Sequence, residues 1–298
     1  MDSIVVLVKH LFNGLQVGSI YALVALGYTM VYGIIKLINF AHGDFIMVGA
    51  YISMMAIPVM ISAGLPVWVC MIVAALLCAV MGVVTERVAY KPLRNSPRLT
   101  ALITAIAVSL LLQNLFMVMF GSASKPYPAV FSTEQMGGSG IQLSMSTLVT
   151  IVLSVACMIC LQMFVKKTRM GKAMRAVSED MAAAQLMGIN VNTTISLTFA
   201  IGCALAAIAA VMYCAAYPLV NPYMGSLLGL KAFVAAVLGG IGIIPGAMLG
   251  GFVIGIVESF TKAYISSQLA DAVVYGILIV VLLVKPTGVL GKNVGEKV

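Results

Sequence analysis

The sequence predicts an all-α polytopic membrane protein with about eight transmembrane helices, and three observations carry that prediction. Of 298 residues, 62% are hydrophobic and 9% are charged, where soluble domains carry about a quarter charged residues. The mean hydropathy is +1.12. The apolar residues also fall in runs of spanning length. A helix crossing the hydrocarbon core needs roughly 20 such residues, because no water is present to satisfy backbone groups. The runs lie near 14–35, 41–62, 66–86, 99–120, 146–165, 193–217 and 272–285, with a more complicated region at 226–262. The whole chain, 1–298, reads as a single transmembrane domain.

Residues 3–12, SIVVLVKHLF, read as an interfacial lead-in to the first span. The start has no basic n-region and no small-residue cleavage site before the first span, so it is read as mature sequence. The loop at 86–98 carries Arg87, Lys91, Arg94 and Arg98, and 166–175 carries Lys166, Lys167, Arg169, Lys172 and Arg175. The positive-inside rule places both in the cytoplasm. Residues 121–145 hold Lys125 as their only basic residue, beside Pro126, Pro128, Gly137, Gly138 and Gly140, and are placed outside. Counting back puts the N-terminus outside as well. The net charge of +8 comes from clusters at the ends of apolar runs. It is a topology signal with attraction for anionic lipid, and no nucleic-acid partner is expected.

Two segments look interrupted. Residues 18–51 contain an apolar helix, a break with Gly33, Asn39, His42 and Gly43, and a second apolar helix. Residues 225–262 are broken at 239–246, where Gly239, Gly240, Gly242, Pro245 and Gly246 disfavour a continuous helix. That region reads as two helical pieces or a re-entrant hairpin, which puts the tail with Lys285, Lys292 and Lys297 in the cytoplasm. Interrupted segments in opposite halves fit an internally repeated transporter whose substrate route runs at the breaks. Ordinary loops between spans explain them equally well.

No nucleotide-phosphate cradle, G-x-S-x-G or H-E-x-x-H occurs, so the chain is read as no enzyme and as binding no cofactor itself. The six cysteines lie in apolar runs, where cysteine acts as a small hydrophobe. Cys157 and Cys160 lack basic or metal-binding neighbours, and His10 and His42 are the only histidines, so no metal site is expected. The acidic residues in or beside spans are Asp44, Glu258 and Asp271. Charge at membrane depth is costly and marks function by default. The candidates for a translocation path or gate are therefore Asn39, His42, Asp44, Lys231 and Glu258. Asp44 reads alternatively as an interfacial cap of the next helix, and Glu258 as a residue at a helix end. Gly225/Gly229, Gly246/Gly250 and Gly251/Gly255 have small-xxx-small spacing, which predicts close helix packing and a candidate dimer face.

Residues 166–191, KKTRMGKAMRAVSEDMAAAQLMGINV, form a polar helical stretch between two apolar runs, which suggests a docking surface. Its basic half anchors topology. The half from Ser178 to Gly188 is a small-residue helix closed by glycine in the C-cap position.

Three stretches, GSIYALVALGYTMVYGIIKLINFAHGDFIMVGAY, TRMGKAMRAVSEDMAAAQLMGINV and FVAAVLGGIGIIPGAMLGG, closely resemble LivH-like permease subunits of bacterial branched-chain amino acid ABC importers. The resemblance covers nearly the whole chain. It implies one permease domain in the inner membrane, with 166–191 as a cytoplasmic coupling loop similar to the E-A-A-x-x-x-G docking loop. That pattern maps onto Ala182, Ala183, Ala184 and Gly188. Ala182 stands where the pattern has its acid, so Ser178, Glu179 and Asp180 join the candidate coupling residues. The resemblance further implies a second permease subunit, a paralogue, with two ATPases that use ATP and Mg and a periplasmic amino-acid-binding protein. It implies leucine, isoleucine and valine as substrates. A related permease for urea, short amides or another amino acid would share every motif, and an autonomous carrier or channel is the alternative of a different class.

Overall fold

Backbone groups in lipid have no water to bond, so the apolar runs close their hydrogen bonds internally. The computed structural model describes residues 2–36, 39–94, 96–131, 135–136 and 143–291. Gly137, Gly138, Gly140, Lys292 and Lys297 lie outside the described residues. The helices are α1 (Asp2–Ile35), α2 (Asp44–Ser62), α3 (Val69–Thr85), α4 (Arg98–Phe120), α5 (Met145–Lys167), α6 (Arg169–Glu179), α7 (Met181–Leu186), α8 (Val191–Ala216), α9 (Met224–Gly239), α10 (Ile244–Tyr264) and α11 (Ala270–Val284). Seven of them, α1 to α5, α8 and α10, are long and apolar enough to cross a membrane. The apolar α9 and α11 are shorter, at 16 and 15 residues.

Residues 3–12 are no separate lead-in. They continue into α1, a single helix of 34 residues that extends about 51 Å at about 1.5 Å per residue. Its middle is the centre of the molecule: Ile20, Leu23, Ala25 and Leu26 have no exposed surface. Helix α10 runs antiparallel along it at backbone contact. A Cβ on Gly18 would lie 2.8 Å from the Phe252 Cα, and Gly14 meets Ile256 in the same way. All three small-residue pairs of the sequence are used within the chain: Gly251 and Gly255 against α1, Gly246 and Gly250 against α9, and Gly225 and Gly229 against Gly43. The expected dimer face is thereby corrected. Lipid supplies no hydrophobic drive between helices, so close packing of this kind has to hold them together.

Two ends of the bundle are distinct. Strand β1 (Lys125–Pro126) pairs antiparallel with β4 (Leu219–Val220), and the Ser259 hydroxyl of α10 donates to the His10 carbonyl of α1 at 2.9 Å. The N-terminal part of α1, the 125–131 loop and the far ends of α8 and α10 therefore share one end. Between 125–131 and α5, β2 (Gln135–Met136) pairs with β3 (Leu143–Ser144). At the other end Arg94 donates to Asn192 at 2.6 Å, joining the basic loop at 86–98 to the start of α8, which follows the basic segment 166–175 in the chain. The tail is there too, since Val289 N donates to the Leu238 carbonyl at 2.8 Å. By the positive-inside rule that end is cytoplasmic.

Candidate translocation and coupling site

Helix α1 does not break at Gly33, which is helical. It stops at Lys36, whose φ of +55° turns the chain while its N–H donates to the Tyr32 carbonyl at 2.7 Å. Asn39 caps a 3-10 turn at Phe40–His42 by accepting from Ala41 N at 3.1 Å, and the same Oδ1 accepts from the Tyr90 hydroxyl at 2.7 Å. His42 is fully buried, edge-on to Tyr28 with ring centroids 4.7 Å apart. Gly43 follows, and a Cβ there would stand 2.6 Å from the Gly225 carbonyl of α9.

Asp44 is neither interfacial nor the cap of α2. Gly43 holds the cap position, and the buried Asp44 carboxylate accepts from Gln113 Nε2 of α4 at 2.9 Å. Gln113 lies 15 residues beyond the start of α4 at Arg98, about 22 Å along the helix axis. The 39–44 segment therefore carries polar side chains deep into the bundle. Asp44 also stands in the first turn of α2, where the helix dipole favours a negative charge.

Lys231 and Glu258 meet, and neither is terminal. Lys231 lies in mid-α9, and Glu258 stands six residues before the end of α10 at Tyr264. The Lys231 ammonium contacts Glu258 Oε1 at 2.8 Å and Asp271 of α11 at 2.6 Å, and Lys262 reaches Glu258 at 2.6 Å. The Tyr21 hydroxyl of α1 donates to the other carboxylate oxygen at 2.6 Å. The buried pair Lys231 and Glu258 is thus neutralised and flanked by the half-exposed Asp271 and Lys262, which offsets the cost of removing the pair from water. Glu258 and Lys262 border a cavity of about 660 Å³ at the non-basic end, with Asn13, Gln16, Tyr127 and Tyr217 also in its wall. Burial raises the pKa of Tyr127, so its phenol stays protonated, and it donates to Ser53 at 2.8 Å.

The second interruption is built from glycine. Gly240 (φ +104°) and Gly242 (φ +94°) reverse the chain between α9 and α10, and Pro245 sits in the first turn of α10, where its missing N–H costs nothing. Gly239 and Gly246 meet backbone to backbone. The carbonyls of Leu238 and Gly239 accept from Val289 and Leu290 of the tail. Gly33 does belong to this place, since a Cβ on it would lie 3.6 Å from Gly242.

Residues 166–191 are not one helix. Lys166 and Lys167 end α5, and Thr168 caps α6 through Gly171 N at 2.9 Å. Helix α6 buries Gly171, Met174 and Val177, the i, i+3 and i+6 positions of one face. The chain breaks again at Asp180, whose carboxylate accepts from Ala182 N and Ala183 N at 2.8 and 3.0 Å and so starts α7. Glu179 is left exposed at the end of α6, beside Ser178, whose hydroxyl donates back to the Arg175 carbonyl. Gly188 (φ +79°) closes α7, with Gly188 N on the Gln185 carbonyl and Ile189 N on the Ala184 carbonyl. That is the 6→1 and 5→2 pattern of a Schellman cap. Ala184 is buried, whereas Leu186 and Met187 are 89% and 82% exposed.

One charged cluster escaped the sequence reading. Glu86 has no exposed surface and is ion-paired to Arg94, while Ser196 donates to its Oε2 at 2.6 Å. Arg94 had a role only as a topology signal. The available clue was an acid at the junction of an apolar run and a basic loop, where it is the only negative charge among four positive ones.

A polytopic helical bundle with polar side chains carried into its interior and a capped knob at its basic end defines a membrane transport protein. The chain belongs to the branched-chain amino acid transport system / permease component family, whose model matches residues 10–283. It is 46% identical over 300 residues to the high-affinity branched-chain amino acid transport system permease protein LivH of Salmonella typhimurium, with 97% of each chain covered. It is 46% identical over 301 residues to the permease protein BraD of Pseudomonas aeruginosa, again with 97% of each covered. A probable branched-chain amino acid transport permease protein LivH of Methanocaldococcus jannaschii is 31% identical over 92% of this chain and 89% of its own. The protein is a transport component rather than an enzyme, and a multi-pass integral protein of the inner membrane.

Proposed function

We propose that this chain forms the translocation path of an ATP-driven importer of leucine, isoleucine and valine, and that α7 docks a separate ATPase. The observation that carries the docking reading is the construction of α7. Six residues are capped at both ends and seated on Ala184, and Leu186 and the C-cap residue Met187 are left exposed at the basic end. A helix this short is not stable by propensity, so its caps hold it in one orientation. The complete transporter comprises this permease, a second and paralogous permease, two ATPases supplied with ATP and Mg, and a periplasmic binding protein. The binding protein delivers substrate to the non-basic end, where the cavity beside Glu258 and Lys262 opens. ATP-driven closure of the ATPases pushes on α7 and re-orients the spans, with Asn39, His42, Asp44, Lys231 and Glu258 as the polar groups along the path.

Ala184 and Gly188 are poor test positions, since one is buried and the other needs its positive φ. Leu186→Asp combined with Met187→Asp changes exposed atoms only. Membrane insertion stays normal, the ATPase no longer copurifies, and uptake of labelled leucine falls about tenfold or more, as for loss of interface anchors. Normal uptake would remove the docking assignment. Competition with isoleucine and valine tests the substrate, and competition by urea or short amides instead would reassign it.

A further inference from the structure

We propose that Glu86 is a positioning residue through which movement of α7 reaches the intramembrane segment 39–43. This deepens the reading of α7 as the ATPase contact and rests on it.

Helix α3 does not end as an ordinary α-helix. It continues as a π-helical turn at Glu86–Tyr90 and a 3-10 turn at Lys91–Leu93 containing Pro92. This hook folds back on the start of α8. Widened turns of this kind are frequent at functional sites, and this one has polar contacts in two directions. Toward α7, Glu86 receives Arg94 on Oε1 and the Ser196 hydroxyl on Oε2 at 2.6 Å. Arg94 spends its second terminal nitrogen on Asn192 at 2.6 Å. Asn192 and Ser196 lie in the first turns of α8, which begins directly after Gly188 and the Asn190 cap. Toward the membrane interior, Tyr90 stacks on Phe199, with centroids 5.5 Å apart, and donates to Asn39 Oδ1 at 2.7 Å. That oxygen also receives Ala41 N and so holds the turn that carries His42 and Gly43.

The contacts run from the end of α7 through α8 and Arg94 to Glu86, and the backbone of the π-helical turn carries them on to Tyr90 and the buried turn. Apolar side chains of equal volume would hold the hook to α8 at least as stably as a buried ion pair. What the charged fork adds is a fixed direction of pull. A cleft of about 780 Å³ separates the hook from α7, with Lys91, Arg94, Ala182, Gln185 and Asn192 on its walls. It gives α7 room to move while Arg94 tethers α8.

Glu86→Gln keeps the volume and an acceptor for Ser196 but removes the ion pair. Tyr90→Phe cuts only the link to Asn39. Each is measured in the complete transporter in lipid nanodiscs, as substrate moved per ATP hydrolysed. That ratio is expected to fall about tenfold in each variant, inside the range of coupling between sites, with hydrolysis kept within about twofold. Because the two contacts act in series, the double variant should lose no more than the worse single one. A parallel loss of uptake and hydrolysis, an unchanged ratio, or multiplying losses in the double variant would each overturn the proposal. The ratio is read on the assembled complex wherever the ATPase binds. A failed docking assignment, seen with the α7 aspartates, is therefore distinguishable from a failed role for Glu86.

Discussion

The two interrupted segments solve the same problem with different chemistry. At 39–44 the chain lies in the bundle on polar side chains: Asn39 caps the turn and holds Tyr90, and Asp44 holds Gln113. At 240–243 the chain turns at the basic end on glycine alone, and tail N–H groups satisfy the exposed carbonyls. Irregular backbone at membrane depth survives only where protein re-satisfies it. The first segment recruits side chains from α3 and α4, which can rearrange with those helices. The second is closed by backbone, and its tight glycine contacts leave little freedom. They are not two copies of one device.

The difference can be broken at named positions. The largest effect is expected for Gly239→Val, which drives a branched side chain into the Gly246 backbone and costs about 3 kcal/mol, the upper range for overpacking. It is read as loss of folded protein after membrane extraction, and normal yield and melting would show that the α9–α10 contact is slack. Gly240→Ala places a Cβ at φ +104° and costs about 2 kcal/mol of backbone strain, visible as a lower melting temperature. The smallest effect belongs to the side-chain segment. Asp44→Leu leaves the buried Gln113 amide with only the Ser109 hydroxyl as acceptor and costs about 1–2 kcal/mol. Asp44→Asn keeps an acceptor and changes stability by less than about 0.5 kcal/mol. If Asp44→Asn were as damaging as Asp44→Leu, the charge itself and not the hydrogen bond would be holding the segment.

Much of this was legible in the order of residues. Both interruptions were visible as glycine and polar residues inside apolar runs, and both basic loops marked the end they share. The limits of each element were less visible. Gly33 read as a breaker but stays helical, because a helix packed against neighbours tolerates one glycine costing about 1 kcal/mol. Lys36 ends α1 instead, in a conformation no composition rule assigns to lysine. Residues 166–191 read as one helical stretch, whereas Asp180 divides them, since an acid that helps a first turn also caps one. Asp44 read as interfacial because only its neighbours in sequence were visible, and Gln113 is far away along the chain.

By itself the sequence determined the class, the membrane-crossing runs and the cytoplasmic end. Hydrocarbon length, backbone hydrogen bonding and the positive-inside rule act on composition and local order. Only the tertiary structure decided which glycine pairs meet within the chain, that Lys231, Glu258, Asp271 and Lys262 neutralise one another, and that Glu86 links α8 to the hook. Those outcomes depend on residues distant in sequence coming within about 3 Å, where hydrogen bonds and ion pairs form. Periodicity along a single helix says which face is apolar, and the helix that will cover that face is chosen by packing.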